Sequence, residues 1–187
     1  MIEVRADQIE RAQALLGHIP NAVPKAVVNA INRAAQGGRT DAVRKAREEY
    51  VIQAGRIREN IEIRQANSAN LSASIISRGR PRALSYFKIS PDSPAKHRPP
   101  DGVYVKVKSN GGKTIAKSFV AKMASGHVGV FNREGAKRFP IVERYGPSIP
   151  QMIGSDSVRA FVEEGAQRRL DERLDHEINR ILRGYGK

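Results

Sequence analysis

Several groups of residues have the types and spacing that chemistry would use. The run SNGGKT at 109–114 holds a Gly-Lys-Thr of the kind that cradles phosphate. A phosphate-binding loop also needs a glycine five positions before the Gly-Lys pair, and a following helix whose amides point at the phosphates. Val107 occupies that position, and the segment lies between two strand-like runs, so it reads as a turn. Near the C-terminus, Asp171, Asp175, His176 and Glu177 are metal-ligand types. Adjacent residues on a helix point in different directions, whereas a metal needs convergent ligands. They read as a solvated face, as do Arg168 and Arg169. His97 and His127 have no nucleophile or carboxylate close in sequence, and neither a Gly-x-Ser-x-Gly elbow nor a His-Glu-x-x-His pair occurs. These residues point to no catalytic site, no metal site and no cofactor.

Cationic side chains are the remaining candidates. Arg133, Lys137, Arg138 and Arg144 bracket a proline-rich turn, with Arg78, Arg80 and Arg82 and then Lys106, Lys108 and Lys113 upstream. Such clusters contact phosphate or acidic protein surface, or simply form a soluble rim around a sheet; both readings stand. The chain carries 33 Lys+Arg against 19 Asp+Glu, net +14, which favours acidic partners. The excess is uneven. Residues 1–60 hold 10 basic and 7 acidic groups, residues 61–153 hold 16 and 5, and residues 154–187 hold 7 and 7.

Composition bounds the class. A chain of 187 residues suits one domain. It has no cysteine, hence no disulfide or thiolate-held zinc. No secretory leader pattern opens it, and no apolar run approaches the ~20 residues that span a bilayer. There is no Trp and aromatics are 5% of residues, few for a protein that stacks single-stranded bases.

The elements that must carry these residues follow from periodicity. Ile9, Ala12, Leu15 and Leu16 have helical spacing and Gly17 can end that helix. Asn21 can cap a second helix whose stripe runs Val23, Ala26, Val27, Ala30, Ile31 and Ala34, and resumes at Ala42, Val43, Ala46 and Tyr50. Gly37-Gly38 is its weak point, each glycine costing about 1 kcal/mol in a helix; the reading is one long helix with room for a kink there, and the alternative is two helices with a break. The segment 51–60 reads as one more helical turn. Strands follow in IEIRQ, LSASIISRG, LSYFKI, GVYVKVKS, FVAKM, HVGVF and FPIVERY, with Ala124-Ser125-Gly126 a hairpin turn. Residues 90–101 hold four prolines and few apolar anchors, and read as a mobile loop. From Ser155 a helix runs through Val158, Phe161, Val162, Ala166, Leu170, Leu174, Ile178 and Ile181, with Gly184 to end it. The fold class is α+β: a long N-terminal helix, an antiparallel sheet or small sandwich in the middle, and a long C-terminal helix. Residues 1–187 form a single domain, with 1–60 helical, 61–153 β-rich and basic, and 154–187 the last helix.

The block FVAKMASGHVGVFNREGAKRFPIVERYGPSIPQM, residues 119–152, resembles the signature of the phage minor tail protein Z family. VPKAVVNAINRAA at 23–35 resembles that family's first long helix. The resemblance implies a tail completion protein of long-tailed phages and prophages, a structural virion component and not an enzyme. It implies a place at the head-proximal end of the tail, where tail joins head, after assembly in the host cytoplasm. The implied partners are other tail and neck proteins, with a homo-oligomeric ring, hexameric in many related proteins, a passing contact with DNA, and no membrane. The candidate interface is Arg133, Lys137, Arg138, Pro140, Arg144, Tyr145, Gly146, Pro147, Ser148, Ile149 and Pro150. Pro140, Pro147 and Pro150 fix backbone dihedrals and lack amide donors, which suits a subunit whose angles must repeat until a ring closes. The competing reading is a basic nucleic-acid-binding protein not tied to a virion.

Overall fold

The computed structural model describes residues 2–3, 6–97 and 99–185. In chain order its elements are β1 (Ile2–Glu3), α1 (Ala6–Leu16), α2 (Ala22–Glu49), α3 (Ala54–Arg58), β2 (Ile61–Arg64), β3 (Ser72–Ser77), β4 (Arg82–Ala83) and β5 (Lys88–Ser90). They continue with β6 (Val103–Lys108), β7 (Gly111–Ile115), β8 (Ser118–Lys122), β9 (Val128–Arg133), β10 (Ile141–Glu143), β11 (Tyr145–Gly146), α4 (Ile149–Ile153) and α5 (Asp156–Arg180). The fold is α+β as the sequence implies, with long helices at both ends and small antiparallel sheets between. The chain divides into two compact units. Unit 1 takes Met1–Val43, Ile61–Ser77 and Ser155–Lys187; unit 2 takes Arg44–Asn60 and Arg78–Gly154.

Unit 1 joins α1, most of α2, α5 and the sheet β1-β3-β2. Its core is the alanine-rich stripe of α2 (Ala26, Val27, Ala30, Ile31, Ala34, Ala35) set against Leu170, Leu174 and Ile178 of α5, with Ala12 and Leu16 of α1. Each of the larger side chains gains about 1.5–3 kcal/mol by leaving water. Asn29 of α2 meets Glu177 of α5, while Asp41 meets Arg169, so the two helices run antiparallel. The helix α2 passes unbroken through Gly37-Gly38. The glycines are there for space: a Cβ at Gly38 would lie 2.8 Å from Ile75 Cδ1, and one at Gly37 would lie 2.5 Å from Arg169 Cδ.

Unit 2 holds three small sheets, β5-β6-β7, β10-β9-β8 and β11-β4. Val103, Val105, Val120, Val130, Phe131, Phe87, Ile57, Ile149 and Met152 fill its core. A side chain replaces backbone pairing at one point: buried Ser118 accepts from the Val103 amide (2.9 Å) and donates to the Ile115 carbonyl (2.6 Å). Gly102 has φ +98°, and a Cβ there would sit 2.0 Å from the Ile115 carbonyl oxygen, so only glycine fits. The hairpin β8–β9 turns through Ala124-Ser125-Gly126, closed by Met123 donating to His127 at 2.7 Å.

Four expectations change in detail. LSYFKI is a 3-10 turn, Leu84–Tyr86, followed by β5. Leu84 and Phe87 are both buried; a turn puts positions i and i+3 on one side, which a strand cannot. FPIVERY is two strands: β10 pairs with β9 and β11 with β4. Between them the Arg144 amide donates to Val130 (2.8 Å) while its carbonyl accepts from Leu84 (3.3 Å). The exposed strand β7 and the short helix α4 carry no hydrophobic period to betray them. The helix α4 does carry a capping box, in which Ser148 accepts from the Gln151 amide and the Gln151 side chain accepts from the Ser148 amide.

Candidate functional site

The charge follows the units. Unit 2 contains 20 Lys+Arg and 7 Asp+Glu, net +13; unit 1 contains 13 and 12, net +1. The basic surface anticipated for residues 61–153 is therefore the property of one compact body, with the end of α2 included.

Within it, residues 133–140 are exposed without exception. Phe139 is 63% exposed, with the Arg138 guanidinium 5.7 Å from its ring centre. Arg133 lies 5.7 Å over the Phe119 ring. Lys137 stands in the same loop. Pro140 follows a cis peptide bond and directly precedes β10, one of the two edge strands of its sheet. A residue without an amide donor is tolerated at the start of an edge strand. Downstream, Tyr145 is 57% exposed, and Gly146 approaches so near Phe87 that a Cβ would meet its ring at 2.7 Å. Pro147 and Pro150 are half-buried, whereas Ser148 and Ile149 are buried in the unit. Of the candidate interface, then, Arg133, Lys137, Arg138, Pro140, Arg144 and Tyr145 offer surface, and Ser148 and Ile149 hold α4 in place.

Arg144 is positioned by a relay. Its Nε donates to Asn132 Oδ1 (3.0 Å), and Asn132 Nδ2 donates to the Ala116 carbonyl (3.0 Å). This sets Arg144, Tyr145 and Gly146 along one wall of an open groove of about 560 Å³. Its other residues come from β6, β7 and the 3-10 turn after β4: Leu84, Val105, Val107, Lys108, Gly111, Lys113 and Ile115 among them. Strict alternation would send Val107 and Lys108 to opposite faces. A bulge between Val105 and Lys108 shifts the register, and both line the groove. The groove thus unites Lys108 and Lys113 with Arg144, which no local sequence signal connects. Arg82, in contrast, donates to Asn60, and together with Arg56 it stacks on Tyr86.

The fold gives His127 a carboxylate partner that lies 16 positions away in sequence. His127 Nε2 lies 2.6 Å from Glu143 Oε1, and Glu143 Oε2 accepts from the Tyr145 hydroxyl at 2.7 Å. Donation to the Glu143 carboxylate raises the Tyr145 phenol above its ordinary value, with burial and the Glu143 charge adding to it. The reading of the last helix as a solvated face is corrected. Glu177 is buried and bound by Asn29 and Arg180, Asp171 accepts from Gln8, and Asp175 pairs with Arg11 at 3.0 Å. Arg168 is exposed, but Arg169 reaches the buried Asp41 at 2.9 Å. Among the described residues no three His, Cys, Asp or Glu side chains gather as a metal site would require, and no helix is long and apolar enough to cross a membrane.

What the chain presents is cationic and apolar surface on one compact β-rich unit and balanced charge on the other, helical unit: the form of a small structural protein that works by contact. The family model for prophage minor tail protein Z matches residues 9–187, and the chain belongs to that family. It is a structural protein of a phage tail, its partners are other tail proteins, and its place is the virion. Comparison with curated proteins and with solved structures found no match.

Proposed function

We propose that this subunit completes the head-proximal end of the tail and supports head–tail joining, as one member of a homo-oligomeric ring. The observation that carries the reading is the partition of charge between the units. A body of net +13 suits contact with DNA passing through the neck or with acidic neighbours, since summed charge steers association. A body of net +1 suits self-packing, because like-charge repulsion between copies is small there. The exposed loop 133–140 is the natural point of contact with a neighbour.

The test is Lys137→Glu with Arg138→Glu. Exposed ion pairs are worth about 0–1 kcal/mol, so the purified double variant should melt as wild type does. The expected result is a large fall in infectious titre. The matched control is Arg168→Glu with Arg173→Glu, two exposed positions of α5, which should leave titre near normal. Equal titres for the two folded variants would remove the reading.

A further inference from the structure

The groove of unit 2 has a chemistry of its own. Its volume, about 560 Å³, lies within the range of sites that enclose side chains or small ligands. Its floor is Leu84, Val105, Val107 and Ile115, and its cations are Lys108, Lys113 and Arg144. No carboxylate lines it; the nearest by sequence, Glu143, is bound to His127 and Tyr145. One wall is β7, one of the two edge strands of its sheet. At Gly111 a Cβ would meet nothing within 4 Å, so the backbone there is open to close approach. Gly146 brings the opposite wall down onto Phe87 and Leu84.

We propose that this groove docks an extended acidic segment of another protein, with an apolar side chain on the valine and leucine floor and carboxylates on Lys108, Lys113 and Arg144. Edge strands receive extended peptides through main-chain hydrogen bonds, while side-chain pockets select the sequence. The cationic rim selects acidic residues on either side of the apolar anchor. Nucleic acid fits less well: phosphates would satisfy the cations but leave the apolar floor in water. A second copy of the chain also fits less well: its unit 2, at net +13, is a like-charged body, and among the described residues no strand carries more than one carboxylate. The occupant is therefore a different protein with an acidic, leucine-bearing strand. The inference is independent of the head–tail reading, because it concerns what this groove binds and not where the subunit sits.

The experiment is fluorescence anisotropy with the full chain and fluorescein-labelled peptides. The probe is an alternating Asp/Glu–Leu peptide of about eight residues, long enough to run the strand. One comparison peptide replaces the acids by Asn and Gln, another replaces Leu by Ala, and single-stranded oligo(dT) is the competitor. The acidic leucine peptide should bind, and both altered peptides should bind about tenfold or more weakly. Lys113→Glu should weaken the first peptide to a similar degree. Lys122→Glu, an equal charge change at an exposed position of β8 outside the groove, should leave it nearly unchanged. Equal weakening by the two variants, undiminished binding of the alanine peptide, or efficient displacement by oligo(dT) would each overturn the proposal. So would failure of the acidic leucine peptide to bind at millimolar concentration.

Discussion

Replacing Gly37 by alanine should destabilise the protein, although alanine is the better helix former; in an Arg169→Ala background the same change should stabilise it. The reason is local. A Cβ at Gly37 would lie 2.5–2.7 Å from Cδ, Nη1 and Cζ of Arg169. The Arg169 side chain can move aside only by leaving Asp41, whose carboxylate is 6% exposed and 2.9 Å from Nη1. Breaking a buried pair costs about 3–5 kcal/mol. Asp41 has further partners, so about 2 kcal/mol is the expected loss, against about 1 kcal/mol gained from helix propensity. Gly37→Ala alone should therefore cost about 1 kcal/mol, and Arg169→Ala alone about 2 kcal/mol. With Arg169 truncated the clash is gone, and Gly37→Ala should return about 1 kcal/mol, a coupling of about 2 kcal/mol in the double-mutant cycle. Urea unfolding followed by circular dichroism reads the four stabilities. At this chain length each 1 kcal/mol moves the melting temperature by about 2–4 °C. If Gly37→Ala weakens both backgrounds equally, the close approach to Arg169 is not what selects glycine.

Other consequences are as direct. Glu143→Ala should lower the Tyr145 phenol toward its ordinary value of 10.0. In the wild type the raised value adds stability below pH 10 that fades as pH climbs through it; ultraviolet titration of the two proteins separates these cases, and superimposable curves would count against the hydrogen bond. Ser148→Ala should cost about 1 kcal/mol by opening the capping box of α4, and Ser148→Asp should recover most of it; a melt that does not distinguish the two would refute the cap. Residues 91–101 carry no helix or strand among the described positions, so trypsin should cut after Lys96 before any bond within α2 or α5. Arg98, the other basic candidate for cleavage there, lies outside the described residues.

Sequence alone reveals what local periodicity encodes. The alternation of Val103, Val105 and Val107 places β6, and the stripe from Val158 to Ile181 places α5. The 26/30/34 alanine stripe also announces a close neighbour, which proves to be α5. What stays hidden depends on distant pairings. Nothing near Tyr145 indicates that it pairs with Ala83 across 62 positions, and without that pairing there is no groove. The bulge that brings Lys108 to the rim of the groove, and the Asp41–Arg169 bridge that removes Arg169 from the solvated face, are likewise products of packing. Exposed Gly-Gly-Lys-Thr leaves β7 with no hydrophobic pattern at all. One miss was legible: Ser148-Ile149-Pro150-Gln151 has the spacing of a capping box and announces α4.

The interleaving of the two units has a consequence for synthesis. Unit 2 is complete once Gly154 has been made, whereas unit 1 draws on both ends of the chain and waits for Ser155 onward. During translation the alanine stripe of α2 emerges before unit 2, and its apolar partners on α5 emerge after it. Domains tend to fold as they appear, but here the first helices are made long before they can bury their faces. A nascent chain of this protein should therefore hold a folded basic unit and an unfinished helical one until α5 has been made. Truncation before α5 would leave the stripe exposed beside a unit otherwise complete in sequence, and such fragments should be marked for aggregation or proteolysis.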